Sequence, residues 1–185
     1  MRKDIGKIVL GEDEIQERLE SMALEMEPEV GENAVVIGVL RGASMFVADL
    51  MRHLSGHIKL DYLQVGRSRN DQGDFDLELV KDVSTDIKGE TVFLLEDTID
   101  TGDTLQYLKR HLLSKGAAKV KICVLIDKSP RDSGPRNADY VGFHIDDLDG
   151  QWNYVVGYGI DFNEKYRNLP FVGVLREELW APLEI

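Results

Sequence analysis

Three carboxylates, Glu96, Asp97 and Asp100, and the turn Thr101-Gly102-Asp103-Thr104 share one short run. Adjacent Glu96 and Asp97 offer negative charge suited to hydroxyls and to Mg²⁺, which takes oxygen ligands. Thr101, Gly102 and Thr104 offer hydroxyls and unhindered backbone N–H groups where a helix starts, and the dipole there favours an anion. Asp100 lies between the two groups, placed to act as a general base if a reacting nitrogen comes within hydrogen-bond reach. A site with both chemistries is a site for a phosphorylated sugar.

The flanking residues must hold that run in place. Thr91 to Leu95 reads as a buried strand leading into it. Leu105, Leu108 and Leu112 give the following helix its apolar face, and Gly116 caps it. Upstream, Ile15, Leu19, Met22 and Met26 recur at helical spacing until Pro28 closes the segment. Ala34 to Leu40 is a continuous apolar run, as in a strand covered on both faces. Phe46, Val47, Leu50, Met51 and Leu54 mark a second helix. Ile58, Leu60 and Tyr62 alternate, as do Phe75, Leu77 and Leu79, which predicts two strands joined by a mobile polar loop at 66–74. Val120 to Ile126, Tyr140 to Phe143, Tyr154 to Val156 and Phe171 to Leu175 supply further strands. Strands alternating with helices predict one α/β domain over 1–185 with a mostly parallel sheet, where ligands bind beyond the carboxyl ends of strands.

The chain has 185 residues, 22 Lys plus Arg against 34 Asp plus Glu, and a net charge of -12. That balance argues against nucleic acid as a partner, since phosphate contacts need positive surface. No apolar run reaches the roughly 18 residues of a membrane span. Met1 to Lys7 lacks the apolar stretch of a signal peptide, and the cytoplasm is the expected compartment. The single cysteine, Cys123, sits in an apolar run and is expected to be a buried, inert thiol. His53 and His57 could be two metal ligands on a helix, but Gly56 ends that helix and surface histidines are the expectation. Trp152 and Trp180 are expected at a surface seam or subunit contact.

Leu-Leu-Glu-Asp-Thr-Ile-Asp-Thr-Gly-Asp-Thr (94–104) closely resembles the phosphoribosyl-pyrophosphate (PRPP) signature of the type I phosphoribosyltransferases. Val-Leu-Arg-Gly-Ala-Ser-Met-Phe-Val-Ala-Asp-Leu (39–50), Leu-Ile-Asp-Lys (125–128), Tyr-Val-Val-Gly-Tyr-Gly-Ile-Asp (154–161) and Lys-Tyr-Arg-Asn-Leu-Pro (165–170) are similar to the hypoxanthine-guanine branch of that family. The resemblance spans about residues 5 to 175. It implies the type I phosphoribosyltransferase fold: a central sheet flanked by helices, a small hood from about 145–185, and the mobile loop.

The same resemblance implies roles. Leu40-Arg41-Gly42 would be the pyrophosphate loop, which usually holds a cis peptide before the basic residue. Glu96 and Asp97 would hold the ribose hydroxyls and a Mg²⁺. Asp100 would face purine N7 as the catalytic base, and Asp100, Thr101, Gly102, Asp103 and Thr104 would cradle the 5′-phosphate. Lys128 would donate to the exocyclic O6 of a 6-oxopurine. Tyr154 would stack on the base, with the Val155 backbone reading its edge. Asp161 would bind a second Mg²⁺, and Arg167 would contact pyrophosphate.

The implied reaction joins PRPP to hypoxanthine or guanine for purine salvage, in a homodimer or homotetramer. Alternatives are a PRPP- or nucleotide-binding regulator of the same fold with little turnover, and a shifted specificity for xanthine. Two departures motivate them. The loop reads Val65-Gly66-Arg67-Ser68-Arg69-Asn70-Asp71, without the Tyr usual there, and 146–151 makes a longer connection ahead of Tyr154.

Overall fold

Neighbouring residues of the apolar run Ala34–Leu40 serve two separate cores. Val36 packs in one with Phe46, Val47 and Leu50, while Val35, Ile37 and Val39 pack in the other with Leu105, Leu108 and Leu112. The same split recurs at Phe93 and Leu95 against Val92 and Leu94, and at Cys123 and Leu125 against Ile122 and Val124. A strand whose faces are both covered has no polar face, which is why these runs are continuous rather than alternating.

The computed structural model describes residues 1–31, 34–69, 75–128, 138–144 and 154–180. In chain order it has β1 (Ile5–Leu10), α1 (Glu12–Val30), β2 (Ala34–Leu40), α2 (Ser44–His53), β3 (Lys59–Arg69), β4 (Phe75–Lys81), β5 (Thr91–Ile99), α3 (Asp103–Ser114), β6 (Lys119–Asp127), β7 (Tyr140–His144), β8 (Val155–Val156) and β9 (Val172–Leu175). The six-stranded sheet has the order β4-β3-β2-β5-β6-β7. All its pairings are parallel except the antiparallel edge strand β4. The buried residues of α1 and α2 belong to one core and those of α3 to the other.

From β2 the chain proceeds through α2 to β3 on one side, and from β5 through α3 to β6 on the other. The crevice between the carboxyl ends of β2 and β5 is therefore a topological switch point, the usual place for a ligand in such a sheet. A second sheet, β1-β9-β8, forms the hood, and its strand β1 comes from the opposite end of the chain to the other two.

The predicted strands and helices are present, with shifted ends. Pro28 does not close α1, which continues to Val30. A proline removes one backbone donor, and burial of Met26 and Val30 outweighs that near a helix end. The loop predicted to start at Gly66 starts later, because β3 pairs with β4 as far as Arg69 opposite Phe75. Residues 70–74, the connection 146–151 and Trp152 lie outside the described residues. Ile58 and Tyr62 pack against one core, as the alternation predicts, while Leu60 is exposed and Leu63, on the opposite face, is buried in the other core.

Gly116 sits at φ +96° just past α3. Its N–H bonds Leu113 O, and the next N–H, of Ala117, bonds Leu112 O, the paired bonds of a glycine-capped helix end. Cys123 is buried, and burial pushes its thiol well above the usual range. His53 and His57 are exposed. Among the described residues no helix is long and apolar enough to cross a membrane.

Candidate active site

Strand β5 carries the carboxylates farther than its apolar residues suggest. It runs through Glu96, Asp97 and Thr98 to Ile99, so both carboxylates are strand residues and Asp100 is the first residue beyond. The register pairs Glu96 with Val124 and Ile99 with Asp127, and the Lys128 N–H donates to Ile99 O at 2.8 Å. That register brings Lys128, at the end of β6, beside the carboxylates.

Gly102 adopts φ +83°, a left-handed conformation that suits glycine, and is the N-cap of α3. Its carbonyl accepts from Gln106 N–H at 2.9 Å. Thr101 Oγ1 donates to Asp103 Oδ2 at 2.9 Å, which closes the turn over the helix start. The result is an open cleft of about 440 Å³ lined by Glu96 through Leu105 together with Lys128. Seven of the sequence-predicted positions from Glu96 to Thr104, and Lys128, share this one cleft.

The carboxylate pair is electrostatically loaded. Burial, and then the charge of Asp97, push the Glu96 carboxyl well above its ordinary 4.5. Asp97 Oδ1 accepts from Thr98 N–H at 2.7 Å, and its backbone N–H donates to Glu96 Oε1 at 3.3 Å. Such a pair is relieved by a cation or by hydroxyl donors. Among the described residues no group of three or more His, Cys, Asp or Glu side chains forms a metal cluster. Two adjacent hard oxygen donors nonetheless suit Mg²⁺, which usually takes one or two carboxylates and completes its shell with water and substrate phosphates.

The second half of the candidate site comes from β2 and the hood. The Leu40–Arg41 peptide is cis. Gly42 lies hard against Asp97, and Gly159 lies hard against Gly42: a Cβ on Gly159 would fall 1.9 Å from Gly42 O. The hood turn is fastened by Tyr158, 3% exposed, whose hydroxyl donates to Asp49 Oδ2 at 2.8 Å while Gln16 donates to the same oxygen at 3.1 Å. Burial first, and then Asp49, push the Tyr158 phenol upward. Arg167 donates to Gly159 O and to Asp161 Oδ1, both at 2.8 Å.

Tyr154 and Val155 belong to the hood rather than to the lining of this cleft. Tyr154, at φ +62°, does not line the cleft. Its ring stacks on Trp180 with centroids 4.1 Å apart and meets the edge of Phe162 at 5.8 Å. Trp180, expected at a surface seam, thus backs the predicted stacking aromatic. Val155 is buried in β8 and pairs with Val174.

Sequence reasoning missed Glu164, which contacts both Arg41 and Arg167. The signal available was its position in Asp161-Phe162-Asn163-Glu164-Lys165-Tyr166-Arg167, between two residues already singled out.

Comparison with known proteins bears on this geometry. Residues 11–163 match the phosphoribosyl transferase domain. The hypoxanthine-guanine phosphoribosyltransferase of Bacillus subtilis is 36% identical over 184 residues, 97% of this chain and 98% of that protein. The bifunctional protein TilS/HprT of Listeria innocua is 36% identical over 98% of this chain, which spans only 28% of that protein's length. A crystal structure of a hypoxanthine phosphoribosyltransferase from Staphylococcus aureus superposes with a TM-score of 0.86 at 30% identity, covering 98% of this chain and 97% of that one.

Proposed function

This chain belongs to the phosphoribosyl transferase domain family, and from that premise we propose that it transfers the 5-phosphoribosyl group of PRPP to hypoxanthine or guanine. The products are IMP or GMP and pyrophosphate, a purine-salvage reaction. The observation that carries this reading is the meeting of Glu96, Asp97, the Asp100–Thr104 turn and Lys128 in one cleft at the carboxyl ends of β5 and β6.

In the reaction a purine nitrogen bonds to ribose C1′ as the C1′–pyrophosphate bond breaks and the electron pair leaves with pyrophosphate. The backbone N–H groups and hydroxyls of residues 101–104 bind the 5′-phosphate at the start of α3, aided by its dipole. Glu96 and Asp97 accept from the ribose hydroxyls, fixing C1′ between base and leaving group, and positioning alone lowers such barriers substantially. Asp100, exposed at the end of β5, takes the proton that the attacking base gives up. Lys128 donates to purine O6. An amino group at that position would put two donors face to face, which selects against adenine.

Arg41 and Arg167 receive the pyrophosphate charge. Glu96, Asp97 and Asp161 are the residues that would hold Mg²⁺, which supplies charge neutralisation of the leaving group. The free, buried Cys123 fits the reducing cytoplasm as the working compartment. Assembly into a homodimer or homotetramer belongs to the same proposal.

The test is turnover with PRPP and Mg²⁺ across hypoxanthine, guanine, xanthine, adenine and uracil. Pyrophosphate release with hypoxanthine or guanine is expected. Absence of turnover with both overturns the assignment, and turnover with xanthine alone reassigns the base.

A further inference from the structure

Glu164 draws together two guanidinium groups from distant parts of the chain. Its carboxylate faces Arg41 with both oxygens, Oε1 to Nη2 and Oε2 to Nη1, each at 3.1 Å. Its Oε2 also accepts from Arg167 Nη2 at 3.3 Å. The turn that presents it is held by Asp161 Oδ2, which accepts the Glu164 N–H at 2.8 Å, and by reciprocal Phe162–Lys165 backbone bonds. Asn163, Glu164 and Tyr166 all take positive φ there, a region that side chains other than glycine occupy only when their surroundings impose it.

We propose that Glu164 is a displaceable counter-ion, occupying with its carboxylate the place between Arg41 and Arg167 that the diphosphate of PRPP takes on binding. This rests on the function proposed above. The guanidinium fork that fits two carboxylate oxygens fits two phosphate oxygens equally well, so the two anions compete for the same donors. Arg41 and Glu164 are each 60% exposed, and an ion pair in water is weak enough to exchange readily. The contact of Gly159 with Gly42, and of Gly42 with Asp97, puts this cation pair next to the carboxylates of the cleft.

The device has a use. Without Glu164, Arg41 would stand bare beside Arg167, which Asp161 also holds, and would collect any small anion. A tethered carboxylate sets a threshold that a diphosphate, with its higher charge, passes more easily than a monoanion does. Discrimination of this kind comes from a built-in competitor rather than from an added contact.

The test is calorimetric titration of inorganic pyrophosphate with Mg²⁺ into the wild-type protein, Glu164→Gln, Glu164→Asp and Arg41→Ala. Removing the competitor should tighten pyrophosphate binding in Glu164→Gln by about two- to five-fold, the range set by exposed ion pairs. Glu164→Asp, which keeps the charge, should stay near wild type. A gain of affinity cannot come from a damaged fold. Unchanged or weaker binding in Glu164→Gln, alongside clear loss in Arg41→Ala, overturns the counter-ion and leaves the diphosphate site standing. Undiminished binding in Arg41→Ala overturns both.

Discussion

Gly42 and Asp97 touch across the switch point: a Cβ built on Gly42 would fall 1.9 Å from Asp97 Oδ2. No side chain fits there, so the glycine is what allows the β2 loop and the β5 carboxylate to share one site. Gly42→Ala must push the Asp97 carboxylate away from its Thr98 N–H. Because displacements of about 1 Å at a reacting centre can cost about 10²-fold, kcat/KM for PRPP should fall by about that factor. Initial rates across PRPP concentrations check this, and a variant with wild-type kinetics would show that the two residues do not act together.

Asp100 is the carboxylate left at the mouth of the cleft, beyond the end of β5. If it takes the base proton, Asp100→Asn removes general-base catalysis, a contribution of about 10²–10⁴ in kcat. PRPP affinity should barely change, since the substitution leaves the backbone of residue 100 and the rest of the phosphate turn in place. Pre-steady-state turnover together with PRPP titration separates the two quantities. A kcat equal to wild type would take the proton-transfer role away from this residue.

Stability should depend on pH through Glu29. At the end of α1 it pairs with Lys119 and Lys121 on β6 and accepts from the Tyr140 hydroxyl on β7 at 2.8 Å. Lys119 first, then Lys121 and Tyr140, lower its carboxyl from the ordinary 4.5 to about 2. A folded value below the unfolded one means stabilisation that is complete above 4.5 and lost as pH falls towards about 2. Glu29→Gln should be less stable than wild type at neutral pH and lose less on acidification through that window. Urea unfolding at about pH 7 and about pH 3 reads the difference, and parallel losses in both proteins would count against it.

Much of this architecture was written in apolar patterning. The runs at 34–40, 91–95 and 120–126 are buried on both faces, and burial leaves a continuous signature that any strand between two helical layers shares. The carboxylate run was readable because its residue types sit at a strand-to-helix junction, where geometry and chemistry coincide. Strand β1 was not readable: it is mostly half-buried or exposed, and its partner β9 lies at the far end of the chain, so no local pattern marks it. The extent of β5 was hidden because polar residues at the carboxyl end of a strand face a cleft rather than a core. Glu164 carried no periodic signal, as an exposed charge has none, and was marked only by its place between Asp161 and Arg167. Its partners are defined only once the hood folds over Arg41.

The pairing of β1 with β9 sets an order of assembly. Ile5 pairs with Leu175 and Leu10 with Val172, so β1 must wait for β9, made more than 150 residues later. The six-stranded sheet can form while synthesis continues, but the hood cannot. Contacts so distant in sequence close late, after the loop entropy between them has been met. Arg167 and the turn at Gly159 belong to that late part. A nascent chain can therefore carry the carboxylate cleft before Arg167 and the turn at Gly159 have been brought to it.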